Sequence, residues 1–516
     1  MASNPPVICV PICEQTISAA EEAIIRAAPL ADLIEIRFDC FDPFQLGEGV
    51  GRWIHLFEDS PKPTILTYRP AEQGGKHELN VQARMQFWDF RRPATNGFVD
   101  IEFDLSWAVE GSGQDWSRVI CSHHDFVGVP ADLDDLYNRM AKTPARILKI
   151  VVQADDAIDC LPVFRLLEQA RADKRDIIAI AMGTAGVATR ILGPSRGAFL
   201  TFASRESEAG TAPGQLTARE LRQVYRIEKI NQQTQIFGVM GLPVLHSVSP
   251  LMHNAAFEAI AINAVYLPFE VRNVGEFMRR MIHPRTRDLD WKLGGLSVTA
   301  PHKQAVMEQL DWIDPVAKGI GAVNTVAVVD GELHGYNTDA IGFVEPLANK
   351  FGELRGARCA VLGAGGAARA VLWGLRQEGA EVTVFARNHE NAERLAHEFG
   401  GAWATLDRAA FEGYDVVINT TPLGTAGSHE SRTAASASQL RGARLAYDLV
   451  YNPIETQFLR EAREAGCEIL GGLSMLIAQA VGQFKIWTGR DAPDGVMREA
   501  AERGLRSLDS DLRSEI

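Results

Sequence analysis

The chain has 516 residues, 46% of them hydrophobic and 23% charged, and a formal net charge of −14. That length predicts more than one domain, and the acidic balance argues against a nucleic-acid partner, which needs a basic face. No apolar run reaches the roughly 18 to 20 residues of a membrane helix, so small molecules are the expected partners; oligomeric state is left open. The start, MASNPPVICVPIC, has no basic flank before its first strand-like run. Neither a signal nor a transit peptide is expected, and a cytoplasmic location is the resulting expectation. The seven cysteines show no CxxC pair and no Cys/His set at zinc spacing, which predicts reduced thiols and no metal.

Eight short apolar runs open the chain: Val7–Ile12, Leu33–Phe38, Thr64–Tyr68, Phe98–Phe103, Arg118–Ser122, Ile147–Val152, Ile177–Met182 and Ala198–Phe202. Helical segments such as Gln15–Ala28, Val81–Arg91 and Leu161–Arg171 separate them. Eight alternations over about 225 residues predict a (β/α)8 barrel. Side chains two apart on a strand share a face, so Glu35 pairs with Arg37, Thr67 with Arg69, Ser122 with His124, and Lys149 with Ile147 and Val151. With the other face turned to the helices, these polar groups point into the barrel near its strand ends. An ion-pair lattice that only fills the barrel is the competing reading, and desolvating that many charges is costly.

A polar helix is expected near Thr217–Asn231, after which the α/β pattern restarts. One unit is expected over 233–340 and a second, doubly wound unit over 341–472. The helical segment 473–505 follows, with no low-complexity linker between.

Lys149 lies in the apolar run RILKIVV, where burial disfavours an ammonium and a neutral amine can attack a ketone. His124, in SHHDF at the end of the fifth strand, is placed to act as a base; a buried hydrogen-bonding histidine is its plainer reading. EIRFD (35–39), TYRP (67–70), SHHDF (122–126), KIVV (149–152), MGTAGVATRILG (182–193) and TAPGQ (211–215) together resemble the type I 3-dehydroquinate dehydratases. The resemblance implies a Schiff base at Lys149, proton transfer by His124 and a substrate carboxylate on Arg190. It also implies ring-hydroxyl contacts from Glu35, Arg37, Arg69, Thr211 and Gln215. Two departures stand out. Gln73 occupies the place before Gly74-Gly75 where the family usually has Glu, with Glu72 one residue earlier, and Thr211 replaces the usual Ser. Either Glu72 substitutes after a loop shift, or His124 lacks its carboxylate partner.

GAGGAA (363–368) sits between the strand-like CAVL and the helix-like ARAVLWGLRQ. Small residues there permit a tight turn and close approach to a pyrophosphate at a helix N-terminus. EVTVF then ends at Ala386-Arg387-Asn388, with Arg387 where an acid would select NAD, which favours NADP; a solvated surface arginine is the plainer alternative. Upstream stand HSVSP (246–250), SVTAPHK (297–303), GAVNT (321–325) and GYNTDAIGF (335–343). With GGLSMLIAQAVGQFKIWTG (471–489), this set is similar to shikimate dehydrogenase. The resemblance implies Lys303 and Asp339 as the catalytic pair, and Ser247, Ser249, Thr299, Asn324, Tyr451 and Gln479 against substrate. It places Gly363, Ala364, Gly365, Gly366, Ala367, Arg387, Asn388, Leu449 and Gly472 at the cofactor.

The two halves together resemble the bifunctional dehydratase–dehydrogenase family of plants and some bacteria. Three rivals stay open: a quinate enzyme, a fusion in which only the dehydrogenase works, and a non-catalytic metabolite sensor.

Overall fold

The computed structural model describes residues 5–42, 55–78, 80–89, 97–109, 114–205, 214–406, 409–427 and 429–514. Its first eight strands are β1 (Ile8–Ile12), β2 (Leu33–Arg37), β3 (Thr64–Thr67), β4 (Phe98–Glu102), β5 (Val119–Asp125), β6 (Ile147–Gln153), β7 (Asp176–Met182) and β8 (Thr201–Phe202). All pair in parallel in the order β7-β6-β5-β4-β3-β2-β1-β8. The remaining seam is drawn together by the Ile177–Ala198 bridge and by Phe199 N–H donating to Ile177 O at 2.7 Å. The sheet thus forms a nearly closed α/β barrel.

The period-two pattern decides which residues fill it. Leu33, Ile65, Ile120, Ile147 and Ile178 form an apolar floor inside the barrel. Ile8, Val10, Ile34, Ile36, Leu66 and Val99, of the opposite parity, face the helices. Glu35, Arg37, Ser122 and Lys149 share the parity of the floor and sit one layer higher. Each buried aliphatic contributes about 1.5–3 kcal/mol, and that apolar layer makes a charged one above it affordable.

Three expectations need correction. The stretch 217–231 is not one helix: a π-turn, Glu220–Val224, stops before Arg226, whose φ of +51° cannot continue it, and a 3-10 turn follows at Ile227–Lys229. The buried Arg226 guanidinium instead reaches Ala264 O and Glu258 on the next unit. The eighth strand is shorter than Ala198–Phe202. The thiols are not all free: Cys13 and Cys40, just beyond the ends of neighbouring β1 and β2, are joined as a disulfide with Cα atoms 5.2 Å apart. Cys9, Cys121, Cys160, Cys359 and Cys467 are free and buried.

The second unit holds β9 (Gln235–Gly241), β10 (Ala264–Glu270), β11 (Lys292–Val298), β12 (Trp312–Ile313), β13 (Thr325–Val329) and β14 (Glu332–Tyr336), in the order β10-β9-β11-β13-β14-β12. β10, β9 and β11 run parallel, and β13 is antiparallel to both its neighbours. The third is an all-parallel six-stranded sheet, β17-β16-β15-β18-β19-β20, from β15 (Arg358–Leu362), β16 (Glu381–Ala386), β17 (Ala402–Thr405), β18 (Val416–Asn419), β19 (Leu445–Asp448) and β20 (Glu468–Leu470). The chain then returns. Ile477 and Phe484 of helix Gly472–Thr488, and Met497 of helix Asp494–Ser514, pack in one core with Phe237, Met252 and Phe257 of the second unit.

The barrel docks on the second unit through loops at its strand C-terminal ends. Asp156, after β6, accepts the backbone N–H of Arg272 (2.7 Å) and Asn273 (3.0 Å), just past β10. Helix Val187–Leu192 packs against β10. Among the described residues no helix is long and apolar enough to cross a membrane.

Candidate active sites

One cavity at the C-terminal mouth of the barrel is lined by Glu35, Arg37, Arg69, Gln73, His124, Lys149, Arg190 and Gln215, among others. Four strands deliver its central cluster. The Lys149 amine, 4% exposed as a residue, lies 2.9 Å from Asp100 Oδ2 and 3.4 Å from Glu35 Oε1, above the Phe202 ring. The apolar run RILKIVV thus misleads about the lysine's surroundings, because the neighbouring strands supply its polar partners. The nitrogen is ion-paired rather than isolated among apolar groups.

Asp100 also takes Arg69 Nη2 at 2.7 Å and Ser122 Oγ at 2.5 Å. Burial pushes its carboxyl up, but Arg69 and Lys149 win and hold it at about 2. Arg37 makes a two-pronged contact with fully buried Asp39 (2.9 and 2.7 Å) and donates to Gly74 O. Glu35 Oε1 accepts Thr67 Oγ1 at 2.8 Å.

His124 Nδ1 lies 2.8 Å from Arg69 Nη1. An arginine can only donate, so Nδ1 is the acceptor and the resting imidazole is neutral with its proton on Nε2. Burial and the Arg69 charge accordingly drive its pKa well below the usual histidine value. Gln73, not Glu72, lines the cavity; Glu72 is exposed, and Gln73 Oε1 is buried without a hydrogen-bond partner among the described residues. The loop-shift reading of Glu72 therefore fails, and the group on His124 is a cation.

Arg190, 2% exposed, has only a 3.5 Å contact from Nη1 to Phe202 O, while its Nε has no partner among the described residues. Burial lowers its pKa to about 10. A buried guanidinium on a cavity wall with no carboxylate partner among the described residues leaves room for an anion. Thr211 lies outside the described residues.

Asp100 and Glu102 were not singled out from the sequence, although the alternation in FVDIE gives them the inward parity. Buried Glu102 meets Arg84 at 3.3 Å, but Oε1 has no partner among the described residues, and burial beside Asp100 raises it to about 7.

In the second unit, Lys303 Nζ lies 2.6 Å from Asp339 Oδ2, and Asn324 Nδ2 donates to Asp339 Oδ1 at 2.8 Å. Asn324 Oδ1 in turn accepts Thr338 N–H and Thr325 Oγ1. Val323 N–H donates to Lys303 O at 2.8 Å, tying GAVNT to the lysine loop. Ser249 N–H donates to Ser247 Oγ at 3.2 Å. Thr299 faces Gly241, where a Cβ would stand 2.4 Å from its Cγ2. Gln479 packs on Gly342 in the helix that Asp339 opens, and burial raises the Tyr451 phenol. Among the described residues neither Tyr451 nor Gln479 hydrogen-bonds to Lys303.

In the third unit a cavity of about 980 Å³ is lined by Gly363, Ala364, Gly365, Arg387, Asn388, Thr420 and Thr421, among others. Gly363 has φ +115°, and a Cβ there would stand 2.6 Å from Thr420 Oγ1. Gly365 caps the helix that Gly366 and Ala367 open, and a Cβ on Gly365 or Gly366 would meet nothing within 4 Å. The open space fits a diphosphate on the helix N-terminus, and exposed Arg387 lines the same cavity. Asn388 has a further duty as the N-cap of helix His389–Phe399. Leu449 and Gly472 do not line this cavity; they meet each other, a Cβ on Gly472 falling 2.4 Å from Leu449 O.

The fold and sites define a class: a barrel with a buried catalytic-type lysine, fused to a two-domain dinucleotide dehydrogenase. Family profiles agree. The type I 3-dehydroquinase profile matches residues 8–232, the shikimate dehydrogenase substrate binding domain 239–326, shikimate/quinate 5-dehydrogenase 345–455, and the shikimate 5′-dehydrogenase C-terminal domain 472–502. The chloroplastic bifunctional 3-dehydroquinate dehydratase/shikimate dehydrogenase of Arabidopsis thaliana is 33% identical over 96% of this chain and 84% of its own. An NADP(+) shikimate dehydrogenase of Oleidesulfovibrio alaskensis is 44% identical over 53% of this chain and 96% of its own. A solved shikimate dehydrogenase in complex with NADP+ gives a TM-score of 0.50 at 38% identity, over 54% of this chain and 97% of that one. The chain belongs to the family of bifunctional 3-dehydroquinate dehydratase/shikimate dehydrogenases, a lyase and an NADP-dependent oxidoreductase of the shikimate pathway.

Proposed function

We propose that Lys149 forms the Schiff base with the ketone of 3-dehydroquinate, expelling water, and that His124 moves the protons. Substrate first takes its carboxylate to Arg190, the one buried cation on the wall without an anion among the described residues. Glu35, Arg37, Arg69, Gln215 and Thr211 hold the ring hydroxyls. As Arg69 turns to substrate it frees His124 Nδ1, whose lone pair then takes the proton next to the iminium carbon. The electrons settle on nitrogen, and their return expels the ring hydroxyl as water, with the proton handed back through His124. Hydrolysis releases 3-dehydroshikimate and restores the amine. Glu35, 3.4 Å away, takes the ammonium proton so that the neutral amine attacks, while ionised Asp100 holds Lys149 in place and balances the iminium that forms.

In the dehydrogenase half the residues that would hold NADPH are Gly363, Ala364, Gly365, Gly366 and Ala367 at the diphosphate and Arg387 with Asn388 at the 2′-phosphate. Leu449 and Gly472 are assigned to the nicotinamide side. The bound cofactor supplies the hydride. Lys303 donates a proton to the substrate oxygen, held in line by Asp339, which Asn324 fixes from its other oxygen. Ser247, Ser249, Thr299, Asn324, Tyr451 and Gln479 orient the ring. Both hydroxyls of the Ser-x-Ser loop are present, which favours shikimate over quinate. The working division is 1–225 for the dehydratase, 233–340 with 473–505 for the substrate domain, and 341–472 for the cofactor domain. A cytoplasmic location is kept as the reading, against which the Cys13–Cys40 disulfide stands as the one contrary feature.

One observation carries the dehydratase reading: Lys149, neutral His124 and Arg190, which has no carboxylate partner among the described residues, line one cavity. Supplying 3-dehydroquinate with NADPH and following absorbance at the NADPH band tests it. Steady loss is expected; no loss, with 3-dehydroshikimate still reduced, would confine activity to the second half.

A further inference from the structure

Glu270 ends β10 on the second unit, 9% exposed, and its two oxygens are used by different enzymes. Oε2 accepts the hydroxyl of Thr184, which belongs to the barrel and opens the turn Thr184–Gly186 directly before the Arg190 helix. Oε1 accepts the backbone N–H of Val244 at 3.4 Å. Val244 O then accepts Ser247 N–H at 3.1 Å, and Ser247 Oγ accepts Ser249 N–H at 3.2 Å. A relay of hydrogen bonds thus runs from the barrel through Glu270 and the Val244 peptide to the Ser247 hydroxyl, which in turn holds the Ser249 N–H. The Asp156 clamp on Arg272 and Asn273 holds the backbone just beyond Glu270, so the carboxylate is steadied from the barrel on two sides.

We propose that Glu270 is a positioning residue for the dehydrogenase and that the barrel, through Thr184, sets the placement of the Ser247–Ser249 loop. The dehydrogenase substrate site is then built partly by the neighbouring enzyme. The inference rests on the reading of Ser247 and Ser249 as substrate contacts. Val244 N–H and Thr184 O–H pull on one carboxylate. Loss of the Thr184 hydroxyl lets Glu270 turn, and the loop loses its anchor while Lys303, Asp339 and the cofactor cavity are untouched.

The test uses the full-length chain. Thr184→Val is expected to raise KM for 3-dehydroshikimate about three- to ten-fold, the value of one hydrogen bond, with kcat and KM for NADPH unchanged. Thr184→Ser, which keeps the hydroxyl, should restore KM, and Glu270→Gln should raise it without Thr184→Val adding more. A merely structural threonine would lower the amount of active enzyme and so kcat, leaving KM alone. Ser247→Ala is the control. If it raises KM and Thr184→Val does not, the barrel link is wrong and the loop reading stands. If Ser247→Ala leaves KM unchanged, the loop reading falls and takes the inference with it.

Discussion

The two catalytic centres of this chain solve opposite problems. In the barrel, Lys149, Arg69, Arg37, Asp100, Glu35 and Asp39 are interlocked at 2.7 to 3.4 Å, and all are under a tenth exposed. In the dehydrogenase, one ion pair, Lys303–Asp339, is braced by the Asn324 amide, and the cofactor cavity beside Arg387 is wide. Covalent chemistry needs its amine and base delivered by the protein, which demands a dense, preorganised set of charges. Hydride transfer takes its reacting atom from the cofactor, so the protein contributes orientation and a single proton.

Breaking the dense site should therefore be drastic and local. Lys149→Ala is expected to cost about four orders of magnitude or more in dehydration, leave 3-dehydroshikimate reduction intact, and abolish the adduct that borohydride traps with substrate, read by intact mass. An adduct persisting in that variant would overturn the lysine assignment. Next in size, Lys303→Ala should lower dehydrogenase kcat about 10²–10³-fold with NADPH binding unchanged by fluorescence titration; lost binding would mark the lysine as structural. Arg387→Ala should cost about 10- to 100-fold in kcat/KM with NADPH, the range of charged hydrogen bonds, and little with NADH. Equal losses with both coenzymes would remove Arg387 from the 2′-phosphate.

The smallest effect concerns stability. Burial raises Glu102 from 4.5 to about 7, so the folded barrel binds its proton more tightly than the unfolded chain does. Its contribution is present below pH 4.5 and is lost as pH rises toward 7. Replacing it with Gln should flatten that slope by about 1–3 kcal/mol, measured as the difference between variant and parent in urea midpoints across the window. Asp100, held at about 2, works in the reverse sense and loses its contribution as pH falls from 3.8.

Much of this layout is legible in the sequence because it is periodic. The alternation in LIEIR, ILKIV and VICSHHD names the inward face of three strands, and Glu35, Arg37, Lys149 and His124 do line one cavity. The same alternation in FVDIE gives Asp100 and Glu102 the inward parity, but only the fold brings Asp100 to within 2.9 Å of Lys149. What periodicity cannot show is which groups meet across strands. The Arg69–His124 contact, the Cys13–Cys40 bond and the placing of Gln73 rather than Glu72 all depend on neighbouring loops. Arg226 defeats the helix expected near 217–231 because its side chain is claimed by Glu258 and Ala264 O of the next unit.

The returning C-terminal helices carry a consequence for how the molecule is made. Ile477 and Phe484 complete the same core as Phe237 and Phe257, so on the ribosome the shikimate-binding half must wait, its core open, until the whole dinucleotide unit has been synthesised. The barrel's strands and its inward apolar layer all lie within residues 8–202, so its interior can close while translation continues. A nascent chain therefore meets its period of greatest exposure late, in the second enzyme rather than the first.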